Sequence, residues 1–228
     1  MKMPQKEAGL FILLGTMLNE INMLHKLTYL VHKEGTSDVE RKAHIAQSLF
    51  FQTLLVGKLW ECWKALEAGF FGTLLSKKYE PKLDARGKAS LQKIKRHFGK
   101  TPWISRVRSL FSFHYNYDRI VNQLERIPAN EKLEIFLSEA QGNCLYYASS
   151  VLNAIDIAAT IDAEDTGKGL NTYLSETLEL VGDMLIFLNE LVLAIATENL
   201  DLQLQEQEIP EPPSFGEIHM PFFLKEPE

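Results

Sequence analysis

Two residues in this 228-residue chain stand at a spacing suited to proton and phosphate chemistry. Arg108 and His114 are separated by five residues in the string SRVRSLFSFHYNYD, positions 105–118. Histidine has an ordinary pKa near neutrality, so it can take and return a proton. Arginine is always charged and grips phosphate oxygens through two donors, so it can hold an anion in place. Ser109 beside the arginine, and Tyr115 and Asn116 after the histidine, are polar neighbours that can support such a pair. Each residue also has a plainer use. His114 sits among Phe111, Phe113, Tyr115 and Tyr117, where an imidazole packs as a hydrogen-bonded core group. Arg108 can equally form a surface ion pair, and Ser109, Ser112 and Asn116 suit a helix face or a turn.

Geometry constrains the pair further. Six residues turn an α-helix by about 600°, which would point Arg108 and His114 about 120° apart and separate them by roughly 9 Å along the axis. One straight helix therefore cannot gather them into a compact site. Either the helix is broken between them, or two copies of the chain meet so that one supplies the arginine and the other the histidine.

The charge distribution leads to the same place. The formal net charge is −6, from 24 Lys and Arg against 30 Asp and Glu, which taken alone argues against binding a polyanion. Yet Lys77 to Arg108 holds eleven cations and two acids, a local charge of +9, and the rest of the chain carries −15. Lys93, Lys95, Arg96, Lys100 and Arg106 run directly into the Arg108 motif and are the candidate contacts to a nucleic-acid phosphate backbone. The alternative for such a run is a solvated helix face, or one paired with acids of the same or a second chain.

Other chemistries lack their residues. A di-iron bundle needs Glu-x-x-His pairs, and none occurs, since Glu40 and His44 are four apart. His25, His32 and His44 have no companions at ligand spacing, and no phosphate loop, dinucleotide fingerprint, nucleophile elbow or zincin motif is present. No metal or cofactor is expected. Cys62 and Cys144, both in apolar stretches that read as helical, are too few for a disulfide framework, which fits a reducing cytoplasm. The longest uncharged runs, Ala43 to Gly57 and Ala140 to Ile155, stop short of a membrane span, so no membrane association is expected.

The elements that must position these residues are helical. Leu10, Leu14, Met17, Ile21, Leu24 and Val31 form one stripe over Ala8 to His32. Ser37 with Glu40 has capping-box spacing and predicts a second helix with the stripe Ile45, Leu49, Gln52, Val56, Leu59, Trp63, Leu66, Phe70. The segment 77–102 reads as a basic, less periodic insert. A shorter amphipathic piece follows over Trp103 to Tyr115, then KLEIFLSEAQGN as a short strand or a turn of helix, then helices over about Asn143 to Ile161 and Leu170 to Asn199. On the last, Glu176, Glu179, Asp183 and Glu190 read as a solvated face. The sum is an all-α, up-and-down helical bundle in one domain over 1–200, with extra short helices. Residues 201–228 read as an irregular, proline-rich tail, first of all a mobile one with some packed aromatics, with a strap across the bundle or a segment docked on a partner as the alternative.

The string VRSLFSFHYNYD resembles the signature of the HEPN superfamily (higher eukaryotes and prokaryotes nucleotide-binding), an Arg with a polar neighbour four to six residues before a His, here in the version followed by Tyr. In that superfamily the neighbour is often Asn or Asp, and here it is Ser109. The resemblance covers about a dozen residues and the all-helical layout. It implies a HEPN-like fold and a metal-independent endoribonuclease, of the kind used in toxin, defence or RNA-processing systems, with Arg108 and His114 catalytic. It favours a homodimer with a composite site, in which the RNA 2′-OH attacks the adjacent phosphorus and leaves a cyclic phosphate. A protein partner such as an antitoxin is compatible with it. The second expectation is a non-catalytic helical module that dimerises or docks nucleic acid or a protein.

Overall fold

The computed structural model describes residues 3–31, 35–100, 102–112, 117–125, 127, 132–200, 208, 210–214 and 216–225. The chain is all-helical: α1 (Gln5–Leu30), α2 (Asp38–Gly69), α3 (Leu74–Tyr79), α4 (Ala85–Lys100), α5 (Pro102–Val107), a π-helical turn (Arg108–Ser112), α6 (Tyr117–Leu124), α7 (Tyr147–Ile161) and α8 (Thr166–Asn199), with short 3-10 turns at Glu80–Lys82 and Gln141–Asn143. Among the described residues the sole β feature is an isolated antiparallel bridge between Phe136 and Leu145, which is how the ambiguous KLEIFLSEAQGN stretch resolves.

The predicted capping box opens α2: the Glu40 backbone N–H donates to Ser37 Oγ and the Ser37 N–H donates to Glu40 Oε2, both at 3.2 Å. Such a cap is worth about 1 kcal/mol of helix stability. α1 and α2 pack through Leu14, Ile21, Leu55, Leu59 and Leu66, all nearly or fully buried. Ile45, expected on the α2 stripe, is instead exposed, and its neighbours Ala43 and His44 are the buried residues of that turn.

α8 is the central helix and packs against α1, α4 and α7. Its buried set, including Tyr173, Leu180, Val181, Met184, Phe187, Leu188, Leu191 and Ile195, covers more than one face, as expected of a helix surrounded by others. Leu178 on the same helix is exposed. By length and composition α8 also qualifies as a possible membrane-crossing helix, with mean hydropathy 1.8 over its most apolar window, half of which is buried inside the bundle. The uncharged-run criterion passed it over because Asp183 and Glu190 interrupt it.

Two close approaches fix the neighbours of α8. A Cβ on Gly169 would lie 2.3 Å from the Ala158 carbonyl oxygen, and one on Gly87 would lie 3.0 Å from Glu190 Cβ. The second contact corrects the reading of 77–102 as an insert: α4 is a regular helix that lays Gly87, Ser90, Leu91 and Ile94 on α8. Trp63 stacks on Phe98 at 4.7 Å and ties α2 to the same helix. Cys62 lies buried in α2, whereas Cys144 falls outside any helix, with its thiol against Ser138.

The described part of the tail straps across the bundle. The Met220 N–H donates to the Leu30 carbonyl at 2.9 Å, His219 and His44 approach through Nε2 at 3.2 Å, and Asn143 exchanges two hydrogen bonds with the Leu224 backbone. His44 is 17 residues before Glu61, about 25 Å along α2, so this anchor is remote from the Arg108 region.

Candidate functional site

Trp103, Ile104 and Val107 anchor the helix that carries Arg108. They are buried in the core, and Trp103 Nε1 donates to Glu176 at 3.0 Å. α-Helical winding ends at Val107, and Arg108 is the first residue of the π turn. The α-helix thus gives way to π winding over Arg108–Ser112, and the phase of the residues within that turn departs from α-helical spacing. Ser112 at the end of the turn donates to the Thr53 carbonyl at 2.8 Å, which pins the turn to α2.

Arg108 lies against α2. Its Nε donates to Glu61 Oε1 at 2.8 Å, and a terminal guanidinium nitrogen is 2.8 Å from the same oxygen. Its side chain is 30% exposed, so the guanidinium is oriented without being sealed. Ser109 is exposed and makes no hydrogen bond among the described residues. His114, Tyr115 and Asn116 lie outside the described residues, in the four-residue connection from the π turn to α6.

The basic stretch divides into two groups. Lys78 pairs with Glu7 and Glu198, Lys82 with Glu198, Lys93 with Asp183, Lys95 with Glu80 and Arg108 with Glu61. Lys77, Arg86, Lys88, Arg96, Lys100 and Arg106 are exposed and make no ion pair among the described residues. Of the five candidate RNA contacts, Lys93 and Lys95 are thus engaged within the chain, and Arg96, Lys100 and Arg106 remain available.

α8 supplies part of that pairing, which corrects the reading of its acids as a solvated face. Glu176, Glu179 and Asp183 line a cleft of about 370 Å³ opposite Lys93, Arg96, His97 and Lys100 of α4. Asp183 accepts from Ser90 at 3.0 Å, and Glu190 lies on Gly87. Burial pushes the His97 pKa down, and the opposing pull of Glu176, Glu179 and Asp183 does not restore it, so this imidazole is neutral at neutral pH. Burial also pushes the Cys62 thiol up to about 12, which keeps it an unreactive packing group.

Sequence reasoning missed Glu61, which is 47 residues from Arg108 and has no local signal. It also missed Arg119 and Asp156, which form a hydrogen-bonded ion pair between α6 and α7, with Asp156 only 5% exposed. That pair did have a signal, because Asp156 is the one charged residue in α7. Among the described residues no group of three or more His, Cys, Asp or Glu is placed to hold a metal ion. No protein-family model, curated protein or solved structure matches the chain.

Proposed function

We propose that this chain is a HEPN-type, metal-independent endoribonuclease that works as a homodimer, with Arg108 and His114 as its catalytic residues. The observation that carries this reading is the presentation of Arg108: a partly exposed guanidinium, oriented by Glu61, at the head of a π turn. A fixed cation at the surface is what a developing phosphorane oxyanion requires, because it needs no reorganisation during the reaction. In the reaction, the 2′-oxygen loses its proton and bonds to phosphorus. The P–O5′ bond breaks, the 5′-oxygen gains a proton, and a 2′,3′-cyclic phosphate remains, with His114 moving the protons. RNA phosphate must compete with Glu61 for Arg108, which makes the ion pair a gate on binding.

The test is cleavage of single-stranded RNA in EDTA by wild type, Arg108→Ala and His114→Ala. Wild type should generate cyclic-phosphate ends, and each variant should lose about a hundredfold or more in rate. Equal activity in all three, or none in any, overturns the reading.

A non-catalytic helical module is favoured by a different observation. α6 turns Tyr117, Ile120, Val121 and Leu124 outward, an exposed apolar stripe at helical spacing. Such a face suits protein docking, and this reading predicts partner binding that survives loss of His114.

A further inference from the structure

α6 is inside out. Its exposed stripe of Tyr117, Ile120, Val121 and Leu124 leaves the polar side to face α7, where an ordinary surface helix would bury apolar groups. Behind that polar side lies a cavity of about 510 Å³, walled by Arg106 and Leu110 on one flank, Arg119, Asn122 and Gln123 on the second, and Asp156 of α7 on the third. The volume falls in the range of small-ligand sites. The two flanks are the segments immediately before and after the connection that carries His114.

The wall is built for a hydrogen-bonding ligand that is not itself strongly charged. Arg119 and Asp156 cancel each other: Arg119 Nε donates to Asp156 Oδ2, and Arg119 also contacts Thr160 at 3.4 Å and covers the Phe111 ring at 4.9 Å. Gln123 is 6% exposed, lines the cavity and makes no hydrogen bond among the described residues. The amide carries both donors and an acceptor, a pattern that a ligand edge with one acceptor and one donor can match. Asn122, adjacent and exposed, lines the same cavity with a second amide and makes no hydrogen bond among the described residues. Two further charged residues line the cavity, Arg106 and Asp118, both exposed and without an ion pair among the described residues, so the lining is neutral in sum.

We propose that this cavity is a nucleobase subsite: it takes one unstacked base of the RNA, read by the amides of Asn122 and Gln123, with Arg106 on the adjoining phosphate. Asn and Gln amides match base edges through paired hydrogen bonds, and single-stranded RNA exposes those edges. The identification of the ligand as RNA rests on the ribonuclease reading; the base chemistry rests on the cavity itself.

The experiment uses the full chain carrying His114→Ala, so that RNA is not cut, and measures binding of labelled A, C, G and U octamers by fluorescence anisotropy. The four nucleoside 3′-monophosphates serve as competitors. One octamer should bind about fivefold or more tighter than the weakest, with the monophosphates following the same base order. Asn122→Ala, an exposed position that folding tolerates, and Gln123→Leu, checked by thermal melting, should each level that preference. Monophosphate binding without octamer binding would identify a free nucleotide as the source and keep the base chemistry. Four equal octamers, a preference that persists in Asn122→Ala, or no binding of either probe overturns the proposal. Cleavage by otherwise wild-type protein is scored apart. If no RNA is cut while an Asn122-dependent preference holds, the cavity stands and the catalytic reading fails; if RNA is cut with no base preference at the cut site, the reverse is true.

Discussion

Glu7 is the buried carboxylate on which three elements converge. Tyr79 donates to it, Lys78 lies at 3.0 Å, and Asn199 Nδ2 donates to it at 2.8 Å, joining the first turn of α1, the end of α3 and the last turn of α8. Burial alone would raise its pKa, but the hydrogen bonds from Tyr79, Lys78 and Asn199 outweigh that and hold it below the usual carboxylate value. A carboxyl whose folded pKa is depressed stabilises the protein above its unfolded pKa and loses that contribution as pH falls through the folded value. Glu7→Gln should therefore cost about 1–3 kcal/mol at pH 7. Thermal melts of wild type and variant from pH 7 to pH 3 should converge as pH drops below the ordinary glutamate range.

The helix pairs are where sequence pattern both succeeded and failed. α1, α2, α7 and α8 were legible because each carries a long apolar stripe, and the start of α2 was legible from two residues, Ser37 and Glu40. α4 was not, because its buried face is made largely of Gly87 and Ser90, with only Leu91 and Ile94 as large apolar members. Small residues bring helix axes together without producing hydrophobic periodicity. The π turn was likewise hidden, since the spacing of Val107, Leu110 and Phe111 reads as ordinary α-helix. Small residues also set the α7–α8 junction. Gly169→Val would drive a side chain into the Ala158 carbonyl, a backbone atom that cannot rotate away, and should cost about 2–3 kcal/mol in urea unfolding with the m-value unchanged.

At the scale of the whole molecule, the partition of −6 into +9 and −15 overstated the free charge of residues 77–108. The acidic body is folded against the basic stretch, and Glu7, Glu198, Asp183 and Glu61 neutralise part of it. Only tertiary structure assigns those pairs, since most join residues more than 45 positions apart. A salt titration of RNA binding follows from the remainder. With Arg96, Lys100 and Arg106 as the phosphate contacts, log K should fall against log salt with a slope of about −2 for single strands. Arg96→Gln, Lys100→Gln and Arg106→Gln should each flatten it by about 0.7, and Lys93→Gln or Lys95→Gln much less.

The hydrogen bond between Glu7 and Asn199 also closes the helical body on itself. Position 7 and position 199 are in contact, so the first and last helices begin and end at one place on the surface. A domain with adjoined ends can be circularly permuted, or carried as an insertion in a loop of a host protein, without stretching its frame.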